Sequence, residues 1–317
     1  PYYTSVDQYL AERGELFSHV ILARLPVAEA TIADVERHAP HAAKIFYTVD
    51  MHGLRSEREA ELKGDRDAIL AARQLVAAEQ RMIRRTDLTV VLSVFEEKML
   101  REQGFTNIEV LPLLRDVPGS GPKGFDARRD VVFIGGFQHT PNGDAVRWLI
   151  DEIWPRVRKL AATRGMVSPK LRIVGSQMPD WVRAASGDDI EAVGYVADLE
   201  PVFHEARLSI APLRYGAGLK GKIATSLGYG VPAIGTGIAF EGMPGAGLDE
   251  VTLRGDTPAE LSRLVVDKMS DGARWDRVAG AGVRYAEQHF STATLVPQVV
   301  RILERSAGTH ALPVAAQ

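Results

Sequence analysis

The 317-residue chain has no cysteine. That absence excludes a disulfide framework, a thiolate zinc site and a thiol nucleophile, and it leaves the redox compartment unspecified. Long apolar runs are missing too. The most apolar windows, such as LTVVLSVF, break within about ten residues, well short of the roughly 20 that span a bilayer. An excess of charge of one sign is also missing: 38 Lys and Arg against 41 Asp and Glu leave a formal net charge of −3, which gives no reason to expect a nucleic-acid or other polyanionic partner. The eight histidines form no H-E-x-x-H pattern and no close cluster, so no metal site is expected. The start at Pro1 has neither an initiator Met nor a basic-then-apolar leader and reads as a cut from a longer chain.

What is present is an ordinary globular composition, 45% hydrophobic and 25% charged, at a length that suggests two domains. Short β-branched runs alternate with helical patterns, which predicts an α/β protein with parallel sheets. Candidate strands in the first part are HVILAR (19–24), AKIFYTVD (43–50), LTVVLS (88–93) and NIEVLP (107–112). A linker rich in proline, glycine and charge follows, and the boundaries are drawn at 1–117 for the first domain and 118–129 for the linker. The second domain, 130–290, restarts with VVFIGG and continues through LRIVGS, IEAVGYV, LSIAPL, VPAIGT and EVTL. A C-terminal helix is expected over 291–306 and a frayed tail over 307–317. The first domain opens with a helix-like stretch, SVDQYLAERG, so several strand–helix units are expected to be missing ahead of it.

The order strand, glycine-rich turn, helix occurs twice in the second domain, at Gly135-Gly136 and at Gly216–Gly221. Such turns bring backbone N–H groups and a helix N-terminus to an anion. In PLRYGAGLKGKIATSLGYGVP the glycines, Gly216 and Gly218 among them, allow close approach, and Arg214, Lys220 and Lys222 add cations without a carboxylate. A diphosphate suits this chemistry, with a basic solvated helix start as the bland alternative. Gly216 to Lys222 also spells the first seven residues of a P-loop, but Ile223 stands where a magnesium-holding Ser or Thr is needed.

Ser93 and Glu96 read as a capping box, Thr140-Pro141 as an N-cap with proline at the first helical position, and Asp198 as another N-cap. In TVDMHGLR, Asp50, His52 and Arg55 fall just after a predicted strand, at the carboxyl edge where α/β clefts lie, and Arg24 has the same placement. Each also has a structural reading: Asp50 as a turn cap, Arg55 paired with Glu57 or Glu59, His52 packed in a loop.

FIGGFQHTPNGDAVRWLIDEIWP, LRIVGS, GYVADLEPVFHEARLSIAPLRYGAGLKGKI, GYGVPAIGT and FEGM together resemble the C-terminal domain of GT-B retaining glycosyltransferases, family 4-like, over about half the chain. KIFYTVDMHGLRSEREAEL is similar to the N-terminal domain of a bacterial polysaccharide-assembly branch. The resemblance implies two Rossmann-like domains facing a cleft, a nucleoside diphosphate sugar as donor substrate, no cofactor and no metal, a glycan or lipid-linked glycan acceptor, and a cytoplasmic or peripheral inner-membrane location. It assigns Gly135 and Gly136 to the phosphates, Arg214 and Lys222 to the diphosphate, Tyr195 and Val196 to the region beside the base, and His52 to the donor sugar. The family's E-x7-E acids are absent, with Ala217 and Thr225 in their places. Thr225 and Glu241 are the nearest substitutes for hydroxyl contacts. Those missing acids motivate one alternative, a non-catalytic sugar-nucleotide or glycan-binding module of a larger assembly protein; a nucleotide-sugar epimerase is a further alternative, one that needs paired acids the sequence does not offer.

Overall fold

The runs AKIFY and LTVV become strands buried on both faces, whereas HVILA leaves Ile21 exposed, in a computed structural model that describes residues 3–307. The chain divides into two units: residues up to Pro112 with Ala217–Leu219 and Leu295 onward form the first, and Leu113–Gly216 with Lys220–Thr294 form the second. The stretch read as a tail, 307–317, lies outside the described residues apart from Ala307.

The first unit holds a four-stranded parallel sheet, β1 (His19–Ala23), β2 (Ala43–Tyr47), β3 (Leu88–Val91) and β4 (Ile108–Val110), in the order β1-β2-β3-β4. Its helices are α1 (Val6–Arg13), α2 (Leu25–His38), α3 (His52–Lys63), α4 (Arg66–Arg85) and α5 (Val94–Glu102). Ile32, Phe46, Met82, Ile83 and Ile108 make the core on one face of the sheet. The other face, through Ile45, Leu88 and Val90, is covered by Ile302 of the C-terminal helix.

The second unit holds six parallel strands: β5 (Asp130–Ile134), β6 (Leu171–Val174), β7 (Ile190–Gly194), β8 (Ala206–Ala211), β9 (Ala233–Gly235) and β10 (Leu253–Arg254). Their order is β10-β9-β8-β5-β6-β7. The chain therefore moves outward from β5 in one direction, then returns to place β8 on β5's other side. Crevices that accept ligands form at the carboxyl ends of the two strands flanking such a reversal. Both glycine turns noted in the sequence leave from these two strand ends.

The sequence boundaries shift in three places. The run EVTL is a helical turn, Leu248–Val251, before the two-residue β10, because Gly247 adopts a left-handed φ of 77° and Asp249 and Glu250 suit a helix start. The helix after the first glycine turn, α6 (Thr140–Trp148), is entered from His139, so Thr140 is its first residue and not its cap. Asp198 accepts a bond from the Glu200 amide at 2.9 Å as an isolated turn, while Leu199 precedes the helix.

The stretch 118–129 is tied down by Arg128. This fully buried guanidinium donates to the carbonyls of Lys123 at 2.8 Å, Phe203 at 2.7 Å, Ala206 at 3.3 Å and Ser120, and lies 5.3 Å from the Trp275 ring. Burial pushes its pKa down, yet the carbonyl acceptors keep its N–H groups satisfied. Replacing it leaves several buried carbonyls without donors. We expect Arg128→Met to destabilise the second unit by about 3 kcal/mol. Urea unfolding followed by tryptophan fluorescence checks this, since Trp148, Trp154, Trp181 and Trp275 all lie in that unit. A loss under about 1 kcal/mol would contradict the assignment.

Candidate functional site

In the second unit the turn after β5 is tight for a reason. A Cβ on Gly135 would come 2.6 Å from Cγ of Asn142, and one on Gly175 would come 2.1 Å from the Gly135 carbonyl oxygen. Glycine thus lets two backbone turns and a side chain crowd together. Asn142, buried in the first turn of α6, donates Nδ2–H to the Gly136 carbonyl at 2.8 Å. Its Oδ1 accepts from the Lys222 ammonium.

After α6 come α7 (Trp154–Thr163), α8 (Asp180–Arg183) and α9 (Glu200–Glu205), and Lys222 stands in the first turn of α10 (Gly221–Gly228), which follows β8 through the second glycine turn. The residue as a whole is only partly buried, but its ammonium is densely surrounded and sits 4.4 Å from the Phe133 ring centre. Burial first, and the charge of Lys220 second, push its pKa down to about 7. Lys222 is thus poised to gain a proton when an anion arrives. Lys220, buried at 7% exposure, precedes the helix, and its Nζ lies 3.9 Å from Oε1 of Glu241. Gly216 fits against this lysine, for an added Cβ would meet its Cε at 3.3 Å.

Arg214 is reached by a second residue of α6. Asp144 accepts from its Nε at 2.9 Å and from its Nη2, and the guanidinium lies 5.5 Å from the Trp148 ring centre. The bidentate bond raises the pKa of the arginine further and fixes the plane of its fork. The predicted cations Arg214, Lys220 and Lys222 therefore converge in this unit, with Gly135, Gly136 and Gly216 beside them. Ala217 and Gly218 are counted with the first unit. Tyr195, 72% exposed, and Val196 follow the end of β7, and Thr225 faces a separate cavity further along α10. Sequence reading missed Asn142 and Asp144. Their signal was two polar residues in the first turn of the helix that follows Gly135-Gly136.

The first-unit candidates also come together. Asp50 pairs with Arg55, and Nε2 of His52 is 4.0 Å from Oδ2 of Asp50. His52 opens α3. Burial, with the charge of Arg24 as a smaller cause, lowers its pKa and favours the neutral imidazole. Arg24 and Val49 hold left-handed φ values of 69° and 59° at the carboxyl ends of β1 and β2. Such strain in non-glycine residues gathers at functional sites.

Glu79 of α4 was not foreseen. It is 2% exposed, its Oε1 accepts from the Gly53 amide at 3.2 Å, and it also takes the His52 amide. Its Oε2 has no hydrogen-bond partner. A carboxylate here satisfies the N-terminal amides of α3 and fixes the turn that carries His52. The readable signal was a glutamate on the buried stripe of Ala72, Ala78, Met82 and Ile83. Burial pushes its pKa up to about 7; the amides of Gly53 and His52 and the charge of Arg55 oppose the rise, and Glu96 adds to it.

Residues 128–271 match the family described as glycosyl transferases group 1. None of the curated proteins is a match to the sequence. Among solved structures, TarM of S. aureus is similar with a TM-score of 0.71 and 12% identity, over 94% of this chain and 57% of TarM. The chain thus spans little more than half the length of that protein. Sucrose-phosphate synthase from Thermosynechococcus elongatus has a TM-score of 0.70 and 14% identity, over 95% of this chain and 77% of the synthase. HepE of Anabaena has a TM-score of 0.66 and 13% identity, over 96% of this chain and 84% of HepE. No helix among the described residues is long and apolar enough to cross a membrane.

Glu79 gives a pH test. A carboxyl whose folded pKa lies above its ordinary 4.5 holds a proton more tightly when folded, so its contribution falls as pH rises from about 4.5 to about 7. The fall amounts to about 3 kcal/mol at most. In Glu79→Gln that fall should vanish and the first unit should be the more stable at pH 8, read as opening free energies from hydrogen exchange in α3 and α4. Equal pH profiles for both proteins would contradict the assignment. By sequence, residues 128–271 are similar to glycosyl transferases group 1, and by architecture the chain has the GT-B fold of these solved structures.

Proposed function

We propose that the chain transfers a hexosyl-type sugar from a nucleoside diphosphate sugar to a glycan acceptor with retention at the anomeric carbon, without a metal, in bacterial surface polysaccharide synthesis. The observation that carries this reading is the buried Lys222 ammonium, held by Asn142 at the β5/β8 reversal beside Arg214 and Lys220. The group 1 match supports it, as do the structures of HepE with UDP and glucose and of TarM with UDP.

In this reading the bond from the sugar C1 to the diphosphate oxygen breaks, and the acceptor oxygen bonds to C1 on the same face. The acceptor proton passes to the departing diphosphate. Negative charge grows on that leaving group, where Lys222, protonated by the anion's arrival, and Arg214 stabilise it beside the Gly135-Gly136 turn, whose Gly135 amide is held by the Val174 carbonyl. A neutral His52 orients the sugar by a hydrogen bond to a hydroxyl. Asp50 and Arg55 serve the acceptor side, with Arg24.

The second reading, a non-catalytic sugar-nucleotide-binding module, is favoured by Ala217 and Thr225, which put no carboxylate at the E-x7-E positions. Incubation with a panel of nucleotide sugars and glycan acceptors, with the product's anomeric configuration read by NMR, separates the two. We expect retained product, with kcat reduced about 100-fold in Lys222→Ala. Inverted product, or full activity in Lys222→Ala, would sink the transferase scheme. Nucleotide binding lost in Lys222→Ala, without turnover in the wild type, would establish the module instead.

A further inference from the structure

The amino-terminal edge of the second sheet, opposite the carboxyl ends that carry both glycine turns, holds a cavity of about 430 Å³. That volume falls in the range of small-ligand pockets, about 300–1,000 Å³. Asp126, Arg129, Asp130, Ser168, Lys170 and Arg207 line it. β5 is five residues long, so this edge lies about 16 Å from the glycine turns. A break in strand pairing sets Arg207 here. Asp130 pairs with Ala206 and Val131 with Leu208, so β8 carries one extra residue, Arg207, between two successive pairs. Bulges of this kind re-aim side chains and are frequent beside functional sites.

The re-aimed guanidinium lies 3.9 Å from the centre of the Phe125 ring and donates to the carbonyls of Phe125 at 3.0 Å and Met269 at 2.8 Å. Those bonds occupy two of the five donors of an arginine. Its Nε is buried without a hydrogen-bond partner, and among the described residues no carboxylate forms an ion pair with it. Asp126 and Arg129 act on it through their charges. The other cations of the cavity, Arg129 and Lys170, are exposed. Asp130 does little to balance them, since its carboxylate lies 3.9 Å from Arg172, which Glu205 also binds at 3.0 Å. Oγ of Ser168 is a second buried polar atom without a partner. An orphaned guanidinium N–H and an orphaned hydroxyl on one cavity, with cations in surplus, are complementary to an oxyanion. Val167, Pro169 and Met269 add an apolar wall.

We propose that this cavity is a second ligand site, one that takes a small phosphate monoester. Arg207, Arg129 and Lys170 surround the phosphate, the Ser168 hydroxyl donates to it, and the carbon body of the ligand rests on Val167, Pro169 and Met269. A guanidinium with donors to spare suits phosphate geometry, and the surplus of cations suits a group that carries about two negative charges at neutral pH. The site lies at the opposite ends of β5 and β8 from Lys222 and Arg214, and it stands whether or not the chain transfers a sugar.

Titration of glucose 6-phosphate and of inorganic phosphate tests it, followed by calorimetry and by nitrogen-15 NMR of the arginine Nε–H groups, with the Arg207 signal assigned by Arg207→Lys. We expect glucose 6-phosphate to bind with a Kd of about 1 mM or tighter and to shift the Arg207 signal. Inorganic phosphate, which lacks the carbon body, should bind about tenfold more weakly. Lys170→Ala should weaken glucose 6-phosphate about tenfold, while Lys222→Ala leaves its affinity for this cavity unchanged. Equal affinity for the two probes would overturn the ester and leave inorganic phosphate as the ligand. Binding of neither, or binding that is lost in Lys222→Ala and kept in Lys170→Ala, would overturn the site. Lys170 is exposed and holds no other element in place, so the calorimetric comparison decides the matter even if Arg207→Lys fails to fold.

Discussion

The cation site of the second unit depends on one amide side chain. Asn142 ties the carbonyl of the first glycine turn to the ammonium of the second, so two loops that leave different strands are held as one surface. The bond matters because Lys222 has been taken out of water, which lowers its affinity for a proton and leaves it short of a negative partner. A fixed dipole stabilises it partly and cannot neutralise it. The site therefore keeps an unmet demand for an anion, which in the proposed reading a diphosphate satisfies.

Arg214 meets a different constraint. Asp144 neutralises it and fixes its fork, so this arginine acts through direction and not through net charge. Both α6 partners lie within one turn of Pro141, and that turn is set in place by Gly135 and Gly175. A single added Cβ at either glycine would collide with the surface that organises the cations. The first unit applies the same economy with opposite sign, using the buried Glu79 to hold the amides of α3 under His52.

The sequence made legible what is local. Strand–turn–helix order, the glycines and the cations of one loop are contiguous patterns, and β5, β8 and α10 stand where those patterns indicate. Arg214 and Lys222 were readable for the same reason. Their partners were not, since Asp144 and Asn142 are 70 and 80 residues away along the chain and meet them only because β8 returns to β5. Glu79 could have been seen as an acid on an apolar stripe, but its role required knowing which helix start lies beside it. EVTL misled because a short β-branched run outweighed the acidic pair that suits a helical turn.

The most direct measurement is the protonation state of the Lys222 side chain, followed by nitrogen-15 NMR and assigned with Lys222→Arg. The account predicts titration near pH 7 in the free protein, and an ammonium that stays protonated well above that pH once a nucleoside diphosphate is bound. A lysine that titrates near its ordinary 10.5, unchanged by any nucleotide, would contradict it.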